Sequence, residues 1–160
     1  MELNQLVETC VSREEIYEGV VLHVVKDTVR LPNGALAPRE FCLHPGAVAI
    51  LALCDDGTVL MEHQYRYAHG RVFYEIPAGK LDRRDEPPLL AAARELREET
   101  GISADVLTPI ANMPYRNMLC HQYLCVTDCP KDSVTLQEGE TVGYTWVSEK
   151  EFIEDRKSVV

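Results

Sequence analysis

Apolar positions along the chain fall into short runs broken by turn residues, and most of the runs have the length and chemistry of strands. Val20 to Leu31 is rich in β-branched residues and stops at Pro32, Asn33 and Gly34. There, proline presets one dihedral and glycine accepts a positive φ, so a strand followed by a reversal is predicted. Arg39 to Leu43 reads as the returning strand and leads into His44, Pro45, Gly46. The apolar run Ala47 to Cys54 is separated from Val59 to Tyr65 by Asp55, Asp56, Gly57 and Thr58. This is a hairpin pattern, and because its first strand is apolar on both faces that strand is expected at the centre of a sheet. Phe73 to Ile76 is a short strand, and residues 104–113, 119–126 and 141–147 read as three more, the last placing Val142, Tyr144 and Trp146 on one face. One stretch has helical spacing: Leu89, Ala92, Ala93 and Leu96 recur at i, i+3, i+4 and i+7, after two prolines and before Gly101. Ser148 with Glu151 is a capping box that opens a second, terminal helix. Residues 1–15 show no pattern beyond polarity. Strands around one dominant helix predict an α+β fold or a layered α/β/α arrangement.

Composition narrows the partners. The 160 residues are 46% hydrophobic and 26% charged, a globular balance, and a chain this long buries roughly 70% of its unfolded surface. Sixteen Lys and Arg against twenty-six Asp and Glu give a net charge of -10, which argues against nucleic acid as a partner, since that role needs a basic face. An anionic ligand must therefore be received by local cations. The amino terminus lacks the basic start and apolar stretch of a secretion signal, and the eight-residue run 47–54 is too short to span a bilayer, so no membrane association is expected. Six cysteines without an export signal are expected to remain thiols in the cytoplasm. Cys120, His121, Cys125 and Cys129 are close enough to raise zinc, but paired C-x2-C spacing is missing and the alternation is that of a strand.

The chemistry concentrates in Arg94-Glu95-Leu96-Arg97-Glu98-Glu99-Thr100-Gly101. On a helix Glu95, Glu98 and Glu99 project from one side while Ala92 and Leu96 turn to the core. Anions near a helix carboxyl terminus are disfavoured by about 0.3–1 kcal/mol each, so a compensating cation is expected, and hard divalent ions prefer carboxylate oxygen. A solvated charged face with Arg94 pairing Glu98 is the plainer alternative. The preceding bend Pro77-Ala78-Gly79 favours the first reading, because small residues let the Ala78 carbonyl approach the same space.

At these residues the sequence resembles the Nudix hydrolase family, whose signature runs Gly, five residues, Glu, seven residues, then Arg-Glu-apolar-x-Glu-Glu-x-Gly-apolar. Arg94 to Ile102 supplies the second half in full. The first half carries one extra residue: counting from Gly79 reaches Asp85, and counting back from Arg94 reaches Glu86, taken as the motif acid. A wider stretch is similar to the ADP-ribose pyrophosphatase branch, through Leu31-Pro32-Asn33-Gly34, His44-Pro45-Gly46-Ala47-Val48, Gln64-Tyr65-Arg66-Tyr67 and Glu75-Ile76-Pro77-Ala78-Gly79-Lys80-Leu81-Asp82.

The resemblance implies a Nudix-type α/β/α sandwich with a mixed central sheet over residues 44–160, preceded by an amino-terminal antiparallel strand layer over residues 1–43 that makes a homodimer. It implies hydrolysis of the pyrophosphate of a nucleoside diphosphate sugar, ADP-ribose first, to AMP and ribose 5-phosphate, with Mg2+ or Mn2+ held by Glu95, Glu98, Glu99 and the Ala78 carbonyl. Arg94 is expected to orient Glu98. A later acid orients the attacking water in that branch, and Glu140 suits the place better than Glu138. Arg66 and Glu75 match positions that hold substrate, with a strand-edge salt bridge between the two residues as the alternative. Of Tyr65 and Tyr67, one is expected to line a base pocket and the other to pack inside. Where the branch carries Ser-Pro-Gly-Phe and then Glu, this chain has Met113-Pro114-Tyr115-Arg116-Asn117-Met118; Arg116 is a candidate phosphate contact and Tyr115 a candidate base stack. Two alternatives stay open: a Nudix hydrolase of another nucleotide, a dinucleotide or modified nucleoside triphosphate, and a sensor that binds nucleotide sugar without cleaving it.

Overall fold

The computed structural model describes residues 6–115, 118–139 and 141–157, with backbone alone at 115 and 155–157. The chain divides into two compact units, Met1–His44 and Pro45–Val160. In the first, β1 (Thr9–Glu18), β2 (His23–Arg30) and β3 (Leu36–Leu43) form an antiparallel sheet in that order. Gly34, at φ 87°, makes the reversal between β2 and β3 that the Pro-Asn-Gly signal predicts. β1 was not visible in the hydrophobic pattern. Its register shifts between Cys10 and Ser12 and again between Glu15 and Tyr17, and each such irregularity resets which residues share a face, so the two-residue period is lost. Every residue of β1 is exposed. Across β1 and β2, Arg13 grips Asp27 through two 2.7 Å hydrogen bonds.

The second unit is built on a seven-stranded mixed sheet. β4 (Ala47–Cys54) lies inside it, parallel to β9 (Met118–Thr127) and antiparallel to β5 (Val59–Arg66) and to the short β7 (Ala78–Lys80). The order is β10-β5-β4-β9-β8, where β8 is Thr108–Tyr115 and β10 is Thr141–Val147; β6 (Arg71–Glu75) pairs with β5. The central place of β4 follows from its two apolar faces. Helix α1 (Pro88–Thr100) covers one face. It opens on Pro87 and Pro88 and closes on Gly101 at φ 74°, whose N–H donates to the Arg97 carbonyl, 2.9 Å. Ala91, Ala92 and Leu96 pack with Val48, Ile50, Ala52, Leu60, Tyr123 and Cys125 to make the core.

Two expectations from spacing need correction. Leu89 is half exposed, because the buried stripe is centred on Ala91, Ala92 and Leu96 and includes Glu99 and Thr100. Val142 is exposed while Tyr144 and Trp146 pack on the core; an irregularity between Thr141 and Gly143 puts it out of phase with them. In β9, Cys120 lies on the opposite face from His121 and Cys125, as the strand alternation predicts. The second helix, α2 (Glu149–Lys157), begins with the capping box: Glu151 accepts from the Ser148 N–H, 2.8 Å, and the Ser148 hydroxyl accepts from the Glu151 N–H, 3.4 Å. Among the described residues no helix is long and apolar enough to cross a membrane.

Candidate active site

The site forms where β7 meets the carboxyl-terminal half of α1. Val48 of β4 faces Gly79 of β7, so a side chain at 79 would point toward the helix. Glu95 fills that space. A Cβ built on Gly79 would stand 2.0 Å from the Glu95 carboxyl carbon and 2.2 Å from each of its oxygens. Glycine is required here for room, since Gly79 is not among the glycines with positive φ. One turn on, the Glu99 carboxylate accepts the Ala78 N–H, 2.9 Å. Ala78 thus meets the helix acids through its N–H. Glu99 is 8% exposed and the Glu95 side chain 13%, whereas Glu98 is 48% exposed, so the three acids divide into an inner pair and an outer one.

Arg94 holds this arrangement together. Its Nη1 donates to Glu95, 2.8 Å, and to Glu98, 3.4 Å, while Nη2 reaches the Lys80 carbonyl and Glu86, both at 3.3 Å, with Asp82 at 3.6 Å. Its shortest bond therefore goes to Glu95, not to Glu98 as expected from the motif. Burial acts to lower the Arg94 pKa, but the Glu95 hydrogen bond and the charges of Glu95, Glu86 and Asp82 outweigh it and hold the guanidinium above its usual value. Burial pushes the Glu95 carboxyl above the ordinary glutamate range, against the pull of Arg94. Glu86 also accepts the Asp82 N–H, 2.6 Å, while Asp85 points outward and pairs with Arg83. The extra residue of the loop is thus accommodated with Glu86 facing the helix.

A hard divalent cation suits these residues by donor type, since all are carboxylate oxygens, and by placement, since Gly79 leaves Glu95 space beside the strand. As the side chains stand, no group of three or more His, Cys, Asp or Glu among the described residues converges on one point. Arg94 draws Glu95 and Glu98 one way and the Ala78 amide draws Glu99 another.

The remaining candidates are scattered. Arg66 and Glu75 meet each other across β5 and β6, with Arg66 Nε donating to Glu75 at 3.0 Å, which is the strand-edge pair. Tyr65 and Tyr67 are both exposed, so neither packs inside; Tyr67 belongs to a 3-10 turn at the hairpin tip rather than to the strand. Glu138 is exposed. Glu140 and Arg116 lie outside the described residues, and Tyr115 is described by its backbone as the end of β8. The sequence reading missed Glu62, a buried carboxylate in direct register with Glu75. An acid breaking the run Val59-Leu60-Met61 was the available signal.

Comparison with known proteins bears on this geometry. The NUDIX domain model matches residues 43–159, and the model of the nucleoside diphosphate sugar hydrolase N-terminal domain matches residues 8–41. The chain is 48% identical over 94 residues to an ADP-ribose pyrophosphatase of Mycobacterium tuberculosis, covering 59% of this chain and 45% of that protein. It is 44% identical over 108 residues to an ADP-ribose pyrophosphatase of Bacillus subtilis, covering 68% and 58%. A methanol dehydrogenase activator of Bacillus methanolicus is 36% identical over 140 residues, covering 84% and 75%. The chain spans about half the length of the two pyrophosphatases. A crystal structure of an ADP compounds hydrolase superposes with a TM-score of 0.71 at 16% identity, over 94% of this chain and 83% of that one, which shows the fold. With the family model covering most of the chain and the acid helix set against the glycine strand, the protein belongs to the Nudix family.

Proposed function

We propose that this protein hydrolyses the pyrophosphate bond of a nucleoside diphosphate sugar, ADP-ribose first, releasing AMP and ribose 5-phosphate. The observation that carries the reading is the fit of Glu95 against Gly79 beside Glu99 on the Ala78 amide. It brings two buried carboxylates to one edge of α1 in a chain similar to two ADP-ribose pyrophosphatases. Glu95, Glu98, Glu99 and the Ala78 carbonyl would hold Mg2+, or Mn2+ in its place. Such an ion would supply charge neutralisation on the pyrophosphate oxygens and a lowered pKa for the attacking water.

The chain's own residues do the positioning. Arg94 fixes the Glu95 carboxylate and is itself anchored by Glu86, while the Ala78 amide fixes Glu99, so each inner acid has its own partner. Glu140 orients the water, with Glu138 as its substitute. Arg66, set by Glu75, presents donors to a substrate phosphate, and Tyr115 and Arg116 are the candidates for a base stack and a phosphate contact. The fully exposed β1, with Val11, Ile16 and Tyr17 all at least half exposed, supports a homodimer formed through the amino-terminal sheet.

The test is incubation with Mg2+ and a panel of nucleoside diphosphate sugars, dinucleotides and modified nucleoside triphosphates, with products separated by chromatography. ADP-ribose cleaved fastest to AMP and ribose 5-phosphate is the expected result. Turnover of none refutes the reading and leaves a binding protein; preference for a triphosphate moves the activity elsewhere in the family. Glu99→Gln is expected to lower turnover by orders of magnitude in a folded protein, and Glu140→Gln to lower it independently.

A further inference from the structure

The last turn of α1 holds more than its acids. A helix leaves its final carbonyls without intrahelical partners, and in α1 two of them are met from outside. The Arg97 carbonyl accepts the Gly101 N–H, 2.9 Å, and the Thr100 carbonyl accepts the N–H of Thr135, also 2.9 Å, from the segment between β9 and β10. Thr100 is fully buried and adjoins Glu99 in sequence. Val134, the residue before the donor, packs on the core. Gly101 leaves room for the crossing: a Cβ there would stand 3.2 Å from the Thr135 Cβ, inside the ~3.5–4.0 Å at which carbon atoms pack. The glycine that ends the helix therefore also admits the segment.

Thr135 fixes one end of a short span. The other end is Thr141, the first residue of β10, which pairs with Gln64 of β5. Residues 136–140 lie between them in sequence and include Glu138 and Glu140, the acids assigned to the attacking water. Chain length alone keeps the Glu138 Cα within about 11 Å of that of Thr135, at ~3.6 Å per residue. The next hydrogen-bonded tie to the rest of the fold is at Lys131, whose carbonyl accepts the Trp146 Nε1–H, 3.2 Å, and whose ammonium pairs with Asp56. Without the Thr135 bond the span between such ties would run from 132 to 140, which opens more arrangements to both acids.

Resting on the pyrophosphatase reading above, we propose that Thr135 is a positioning residue: through its N–H on the Thr100 carbonyl it ties the water-orienting acid to the helix end that carries Glu99, so that this acid and the carboxylates assigned to the metal keep one geometry. A bond with a structural role alone would add stability and leave the turnover of the folded protein unchanged.

Thr135→Pro removes the N–H. The full chain is assayed for ADP-ribose hydrolysis in Mg2+, for Mn2+ binding by electron paramagnetic resonance and for thermal unfolding. The variant is expected to lose roughly tenfold in kcat, a part of the about 10²–10⁴-fold that a positioned acid–base group supplies. KM and Mn2+ affinity should stay as in the wild type, because the segment orients water and holds neither substrate nor ion. In a Glu138→Gln/Glu140→Gln background, Thr135→Pro should lower kcat no further, since the acid it serves is already gone. If the proline variant does not fold, two glycines inserted between Leu136 and Gln137 keep the bond but slacken the span, and the same fall in kcat is expected. Wild-type kcat in the folded proline or insertion variant overturns the proposal, and so does an equal fall in the background without the acids. Failure of the pyrophosphatase reading looks different: the wild type itself then cleaves nothing, and the positioning role falls with it.

Discussion

Gly79→Ala is the smallest change that addresses the site without touching a charge. Ala is compatible with the β7 backbone, so the strand itself has no reason to break. The added methyl lands 2.0 Å from the Glu95 carboxyl carbon and 2.2 Å from both oxygens, far inside any van der Waals contact. Because the obstacle is the far end of a flexible side chain, the clash is relieved by swinging the carboxylate away rather than by unfolding. The swing breaks the 2.8 Å bond from Arg94; a hydrogen bond to a charged group is worth about 1.5–3 kcal/mol, and the freed carboxylate regains solvent, so the lower end is expected. A unit this size should lose only several degrees of thermal midpoint. Activity should suffer far more, since misplacing a reacting or ligating group by about 1 Å costs on the order of 10²-fold. The assay pairs thermal unfolding with Mn2+ binding by electron paramagnetic resonance and with ADP-ribose turnover. A folded variant with weakened Mn2+ binding and turnover down by about a hundredfold agrees with the geometry. Turnover within threefold of wild type would show that Glu95 does not work from the place where the structure puts it.

The other expectations are narrower. Glu86→Gln should reduce turnover by loosening Arg94, whereas Asp85→Asn, at an outward-facing position paired with Arg83, should be silent; the reverse ranking would reassign the motif acid. Leu96→Ala, at a fully buried position, should cost about 2–5 kcal/mol in chemical denaturation, and a smaller loss would mean that α1 can collapse onto the sheet. The Asp27 carboxyl is held below the usual range by the hydrogen bonds from Arg13, with burial opposing. Its contribution is therefore complete above the ordinary aspartate pKa and is lost as the pH falls through the lowered folded value. Protection factors of the β1 amides in hydrogen exchange should hold through mildly acid pH and drop only below it, and Asp27→Asn should start low and show no such drop. A fall in wild-type protection above the carboxylate range would remove Asp27 from the account.

What could be read from the chain and what could not divides along a physical line. β4 was legible as an unbroken apolar run and α1 by its helical spacing, and each has a hard stop: Asp55 to Gly57 ends one, and Gly101, at a φ that costs other residues free energy, ends the other. The order of the acids along α1 was legible for the same reason, since helical spacing alone puts Glu95 and Glu99 one turn apart. β1 and the phase of Val142 were hidden because an irregularity in register leaves no mark on composition. The partnering of the acids was hidden for a different reason. Periodicity places a carboxylate on a face, but whether it meets a cation, an amide or water depends on what the rest of the fold brings there. Arg94 shows this best: i,i+4 spacing offered Glu98, yet the loop that carries Glu86 and Asp82 brings both acids to Arg94 and Gly79 clears a slot for Glu95, so the guanidinium donates its shortest bond to the residue beside it in sequence. Like charges gathered on one turn of α1 are thereby tolerated in the protein alone, with Arg94 as their internal counter-charge. A divalent ion entering the site would compete with that guanidinium for Glu95 and Glu98 but not for Glu86, whose hold on the Asp82 amide is independent of the helix. The same loop that completes the acid cluster would thus give Arg94 somewhere to remain if Glu95 and Glu98 turned to another cation.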